Sequence, residues 1–179
     1  MEVAADGKKC QYPKMVGTSI SRRATLALLS AAKLFAIDTR EPAPKFHAKS
    51  LDGEKFTNES VKGKAVLIEF WATWCPYCKR DQPAIDAMVE EYAPQGLIVL
   101  AVDVGETRGK VEHYLKESPR ACKIVLMNDT NLAAMFTAKS FPVYVLIDQD
   151  GKFAGTHKGT AGEDGLRRML RKVISSDRS

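Results

Sequence analysis

The sequence has little histidine, little cysteine and almost no charge surplus over most of its length. The three histidines, His47, His113 and His157, lie far apart and follow no ligand spacing. A structural zinc site needs four donors, and there is no second Cys-x-x-Cys or histidine pair to add to Cys75 and Cys78. No metal and no cofactor is therefore expected. The four cysteines, Cys10, Cys75, Cys78 and Cys122, do not form a structural disulfide framework, which would use several bridges in a smaller chain. The formal charge of +5 sits mostly at the front, where residues 1–45 carry eight basic against four acidic side chains. The rest has 19 basic and 18 acidic residues, so it offers no basic face that tracks phosphates, and nucleic-acid binding is excluded. Internal repeats and low-complexity tracts are absent. The apolar stretch Ala24–Ala32 is broken by Lys33, which argues against a membrane span.

What is present divides into a leader, a domain and a tail. Residues 1–20 are polar and aperiodic, the pattern of a disordered segment. Ser21-Arg22-Arg23 then precedes the short apolar run, the layout of an export signal of twin-arginine type, with cleavage expected after Ala32. That layout predicts a periplasmic or otherwise exported protein; an amphipathic tail on a cytoplasmic protein is the alternative. Pro42 and Pro44 mark a linker, so residues 1–45 read as leader and linker, 46–175 as the domain and 176–179 as a tail.

Within the domain, apolar positions flank Asp52-Gly53 and predict a hairpin over Phe46–Thr57. Ala65–Phe70 and Leu97–Val104 are apolar on both faces, as buried strands are. Ile85, Met88, Val89 and Tyr92 recur at helical spacing, and Val111, Tyr114 and Leu115 predict a second helix ending before Pro119. A strand at Ile124–Met127, a helical stripe at Leu132, Met135 and Phe136, and a strand at Val143–Ile147 follow. Asp150-Gly151 then turns into Lys152–Thr156, and Leu166, Met169, Leu170 and Val173 define a last amphipathic helix. Strands alternating with helices, closed by a hairpin, make an α/β sandwich with a mixed central sheet and helices on both faces.

The centre of this pattern is Glu69–Cys78, reading Glu-Phe-Trp-Ala-Thr-Trp-Cys-Pro-Tyr-Cys. A buried strand carrying one carboxylate, Glu69, leads within a few residues to two cysteines at a helix start. Pro76 occupies the first helical turn, where a missing N–H loses nothing. Two cysteines at a helix N-terminus make a redox site.

The span Ala65–Ile174 resembles thioredoxins, and the longer span from Phe46 resembles the TlpA/ResA-like branch of exported thiol–disulfide oxidoreductases. The residues that carry the resemblance are Phe70 to Cys78, Pro83, and Phe141-Pro142 ahead of a strand ending Leu146-Ile147-Asp148. The extra hairpin before the first central strand suits the same branch. The resemblance implies a thioredoxin-like three-layer fold and a Cys75/Cys78 dithiol–disulfide couple acting on protein disulfides, in the reducing direction. It also implies a cis Pro142, with the Phe141 backbone pairing with the bound substrate. Trp74, Pro76, Tyr77, Phe141 and Pro142 then form the expected substrate-contact set. Pro76-Tyr77 is the glutaredoxin dipeptide, but the glutaredoxin glycine pair is missing, so glutathione is not the expected dedicated substrate.

Cys75, at the helix start, is the expected nucleophile, because unpaired N–H groups and the helix dipole favour its thiolate. Cys78, about one turn deeper, is expected to be the less exposed resolving thiol. Glu69 stands where thioredoxins carry a buried aspartate, and as a desolvated acid it is suited to exchange a proton with Cys78; pairing with Lys64 or Lys79 is the alternative. On that reading Glu69→Gln keeps or improves folding while slowing turnover near neutral pH. Asp81 either tunes the cysteine pair or is a solvated charge in the first helical turn. Cys122 is expected to be inert. Expected partners are protein disulfide substrates, apocytochrome c among them, and a membrane or thioredoxin-type electron donor; the chain is expected to act as a monomer. A peroxide-reducing redoxin and a non-catalytic thioredoxin-fold binding module are the competing readings. The first needs a Pro-x-x-x-Thr-x-x-Cys frame that is not present, and the second usually loses one cysteine of the pair.

Overall fold

The computed structural model describes residues 41–136 and 140–174. The twin-arginine pattern, the cleavage point after Ala32, Cys10 and the tail 176–179 lie outside the described residues. β1 (His47–Ser50) and β2 (Lys55–Thr57) form the expected hairpin around Asp52-Gly53. β3 (Ala65–Trp71), α1 (Pro76–Tyr92), β4 (Leu97–Asp103), α2 (Arg108–Glu117) and β5 (Lys123–Thr130) come next. The short α3 (Leu132–Met135) leads to β6 (Val143–Ile147), β7 (Phe153–Lys158) and α4 (Gly162–Leu170).

The strands form one seven-stranded sheet in the order β2-β1-β5-β4-β3-β6-β7. β3, β4 and β5 run parallel, with β3 and β4 in register from Ala65 opposite Leu97 to Trp71 opposite Asp103. β6 lies antiparallel to β3, with Glu69 opposite Tyr144, and the two hairpins close the edges. β3 is buried on both faces along its whole length, which is why its sequence does not alternate. The strand pleat sends Leu67, Glu69 and Trp71 to one side and Val66, Ile68 and Phe70 to the other.

Each side builds its own core. Leu67, Trp71, Val99 and Tyr144 pack with Ile85 and Met88 of α1, Val111 of α2, and Leu166 and Leu170 of α4. On the opposite side Ile68, Phe70, Val102 and Val145 pack with Phe46, Phe56, Val61 and Leu132. α1 ends in a 3-10 turn, Ala93–Gln95, closed by Gly96 at φ 87°, a left-handed conformation that glycine adopts without a Cβ clash. Arg167 of α4 is ion-paired with Glu91 of α1 and, at 2.9 Å, with Glu163, so part of the basic cluster on that helix is neutralised within the fold.

The domain also extends further upstream than Phe46. Residues 41–45 are stitched to the β6–β7 hairpin by Ala43 N–H donating to the Gly151 carbonyl and Phe153 N–H donating to the Glu41 carbonyl, each at 2.9 Å. Ala43 is buried there, so the two prolines of the expected linker lie in a bound strap rather than in a free connection.

Candidate active site

The pleat of β3 ends at Trp71, and the chain turns through Ala72–Trp74 into α1. Cys75 N–H donates to the Ala72 carbonyl at 3.1 Å, closing the turn. Cys75 is the helix N-cap, in extended conformation, and its sulfur accepts the Cys78 N–H at 3.2 Å. Pro76 follows at the first helical position, as its sequence context predicts. Cys75 and Cys78 are joined as a disulfide with Cα atoms 5.3 Å apart. The sulfur pair therefore sits where free helix N–H groups stabilise negative charge on Cys75 once the bond is reduced.

Exposure differs from expectation. Cys75 is 2% and Cys78 1% exposed, so in the oxidised state both are covered rather than only the second. The reachable surface beside them is aromatic: Trp74 is 60% and Tyr77 52% exposed. The Trp74 ring meets Phe141 edge-on at 6.1 Å, so Phe141 packs against the residue that precedes Cys75. The Phe141–Pro142 peptide is cis, as the resemblance implies. Arg80 lies over the Tyr77 ring at 5.4 Å and Lys79 over Tyr114 at 5.3 Å, so the rim carries cations among the rings.

Beneath this rim the same face of the sheet buries a polar group that sequence reasoning found only in half. Glu69 is fully buried, but its partner is neither Lys64 nor Lys79. Arg120 Nη2 donates to Glu69 Oε2 at 2.5 Å, with the two side chains 1% and 0% exposed. The Arg120 guanidinium also lies 4.5 Å from the centre of the Trp71 ring. Burial lifts the Glu69 carboxyl above the usual carboxylate range, and the Arg120 charge opposes that lift. Glu69 Oε1 has no hydrogen-bond partner among the described residues. Arg120 had no periodic signal: it falls in the irregular link between α2 and β5, and only the fold carries it to Glu69.

Of the two readings of Asp81, burial excludes the solvated charge. Asp81 is 2% exposed, and it accepts the Tyr144 hydroxyl at 2.9 Å. It further accepts the N–H groups of Ala161 at 2.7 Å and Gly162 at 3.3 Å, which satisfies the first donors of α4 from another helix. Cys122 is buried, and burial pushes its thiol up to about 12, consistent with an unreactive cysteine.

A carboxylate pair that the sequence does not single out flanks the turn. Asp103, at the end of β4, is fully buried and accepts the Glu106 N–H at 3.1 Å. Burial, with the neighbouring Glu106 charge, raises the Asp103 carboxyl to about 7. Burial pushes Glu106 the same way, but hydrogen bonds from Lys110, Asp103 and Thr73 outweigh it and bring Glu106 down to about 2. The available signal was a carboxylate closing an all-apolar strand, the same signal that marked Glu69.

A parallel core with antiparallel additions and a disulfide at the start of α1 defines a thioredoxin-like protein. The pattern of the AhpC/TSA family matches residues 39–156, and the chain belongs to that family. It is 28% identical over 131 residues to the thiol-disulfide oxidoreductase ResA of Bacillus cereus, covering 73% of this chain and 76% of that protein. It is 31% identical over 140 residues to the thioredoxin-like protein YneN of Bacillus subtilis (strain 168), covering 77% of this chain and 82% of that protein. Among solved structures, a thiol:disulfide interchange protein of the thioredoxin family from Chlorobium tepidum TLS superposes with a TM-score of 0.66 at 24% identity. That superposition covers 76% of this chain and 97% of the other, and it confirms the fold.

The buried charges set two expectations. Glu69→Gln leaves Arg120 buried without its counter-charge, so it is expected to destabilise the fold by about 3–5 kcal/mol, the reverse of the expectation from sequence. Urea unfolding measures this, and a loss below about 1 kcal/mol would mean that the pair is not desolvated. The second concerns pH. Because the folded-state value of Asp103 lies above its unfolded value of 3.8, the stability it contributes is complete below about pH 4 and is lost as pH rises through about 7. Asp103→Asn, which stays neutral, should flatten that fall and gain on the order of 2 kcal/mol at pH 8. Parallel pH–stability curves for the two proteins would contradict the assignment.

Proposed function

We propose that this protein is a thiol–disulfide oxidoreductase that reduces disulfides of exported proteins through Cys75 and Cys78. The observation that carries the reading is the bonded sulfur pair at the start of α1, set beside exposed Trp74 and Tyr77. In the reduced protein the Cys75 thiolate attacks a substrate disulfide, forming a mixed disulfide and releasing one substrate thiolate, which takes a proton. The Cys78 thiolate then attacks the Cys75 sulfur, the second substrate sulfur leaves as a thiol, and the Cys75–Cys78 bond seen here is the product. Two electrons pass to the substrate, and a membrane or thioredoxin-type donor restores the dithiol.

Glu69 serves the second half of the reaction. It lies on the cysteine side of β3, its Oε1 has no partner among the described residues, and burial raises its carboxyl against the opposing charge of Arg120, which suits an acid that exchanges a proton with Cys78. Trp74, Pro76, Tyr77, Phe141 and Pro142 form the substrate-contact rim, with Asp81 tuning the helix arrangement behind it. The couple needs no metal or other cofactor. Apocytochrome c is a substrate of suitable type, and a twin-arginine leader suits an oxidising compartment where such substrates form disulfides. The peroxidase reading is not favoured: the reactive cysteine has a partner three residues on and lacks the peroxidatic frame.

Cys75→Ser tests the proposal. It should abolish reduction of insulin disulfides while leaving the thermal unfolding curve close to that of the parent. Full activity in the folded variant would remove Cys75 from the mechanism.

A further inference from the structure

Glu106 stands outside every role assigned so far, yet it makes the tightest set of side-chain contacts with the turn that leads into Cys75. It follows Gly105 in the link between β4 and α2. Its Oε2 accepts the Thr73 backbone N–H at 2.6 Å and its Oε1 accepts the Thr73 hydroxyl at 2.7 Å. Lys110 Nζ reaches the same Oε1 at 2.6 Å, and only 4% of the Glu106 side chain is exposed. Two residues earlier, Val104 N–H donates to the Trp71 carbonyl at 3.0 Å, so three bonds tie the loop after β4 to the loop after β3. Cys75 N–H in turn bonds the Ala72 carbonyl, which places Thr73 inside the turn that presents the nucleophile.

We propose that Glu106 is a positioning residue for the thiol–disulfide reaction: its carboxylate grips both donors of Thr73 and holds the Ala72–Cys75 turn in the shape that presents Cys75 at the start of α1. The inference rests on the oxidoreductase reading and deepens it. Bonds to an ionised acceptor are about twice as strong as neutral ones, and a two-point grip fixes direction as well as distance. A turn held in this way keeps the two sulfurs close in the dithiol form as well, which favours closing the disulfide. Releasing it makes ring closure less favourable and the couple more oxidising. Asp103 supports the grip from below by accepting the Glu106 N–H. The charged groups facing the Glu106 carboxylate are thus Asp103 at the end of β4 and Lys110 on α2.

The test uses Glu106→Ala, Glu106→Gln and Thr73→Val in the full chain. The dithiol–disulfide equilibrium is measured in glutathione buffers, amide hydrogen exchange is followed by NMR, and the attack of the reduced protein on a model peptide disulfide is timed. Glu106→Ala should shift the equilibrium about tenfold toward the dithiol, which is about 30 mV for a two-electron couple. It should also speed exchange at Thr73 and Cys75 and slow attack by a similar factor. Glu106→Gln, which can still meet both Thr73 groups, should recover to within about threefold, the worth of one hydrogen bond. Adding Thr73→Val to Glu106→Ala should change little further, because the contact is already gone. A folded Glu106→Ala protein with unchanged equilibrium and attack rate would overturn the proposal, as would full additivity with Thr73→Val. Should Glu106→Ala fail to fold, Thr73→Val alone decides: a shift of about threefold supports the grip, and no shift overturns it. Exchange at Thr73 is read without any substrate, so an inactive parent protein would sink the oxidoreductase reading and leave the exchange result to judge the grip.

Discussion

The structure depends on one placement, Cys75 at the N-cap of α1. A helix start leaves N–H groups without partners, and here the Cys75 sulfur accepts one of them, from Cys78. That single contact joins covalent chemistry to secondary structure: the group that caps the helix is the group that reacts. Everything upstream serves to deliver it. β3 is buried on both faces and paired with β4 and β6 for most of its length, so its last residue has little freedom. The turn after Trp71 is bonded within itself and to the loop after β4. Downstream, Ile85 and Met88 anchor α1 in the core, so the helix start is fixed at both ends.

The second theme is the amount of charge buried behind so apolar a strand. Glu69 and Arg120 form an ion pair that is almost wholly removed from water, stacked against Trp71. Such pairs seldom stabilise a fold relative to a well-packed apolar pair of the same size, because desolvation offsets the attraction. Their presence at a reactive centre is easier to understand through function. Asp81 is held by Tyr144 and by the first N–H groups of α4, and the Asp103–Glu106 pair grips Thr73. Buried acidic groups on β3, α1 and at the end of β4 thus lie behind the turn and the base of α1. Each carboxylate is buried, so each depends on the partners it has within the fold.

Much of this was legible in the sequence, and the division follows physical range. Local signals were reliable: the Asp52-Gly53 hairpin, the two-sided apolarity of β3 and β4, the helical spacing from Ile85 to Tyr92, and the cysteine pair at the helix start. The cis Phe141–Pro142 bond is legible only through the resemblance, since nothing local dictates it. What was missed depends on distant parts of the chain. Arg120 meets Glu69 across 51 positions of sequence, and Glu106 meets Thr73 across 33. The sequence leaves Asp81 open between a tuning role and a solvated charge, because helix periodicity shows which face a residue takes, not that the N-terminus of α4 comes to rest on it. The upstream strap over residues 41–45 looks like a linker in the sequence because prolines mark breaks equally well in free and bound chain.

Electron transfer to a substrate turns on Cys75 being the sulfur that joins to it. Reduced Cys78→Ser protein, mixed with a disulfide-containing peptide, should accumulate a mixed disulfide that cannot resolve, and mass spectrometry of the digested adduct should place the peptide on Cys75. An adduct on Cys122, or no adduct at all from folded protein, would contradict that role.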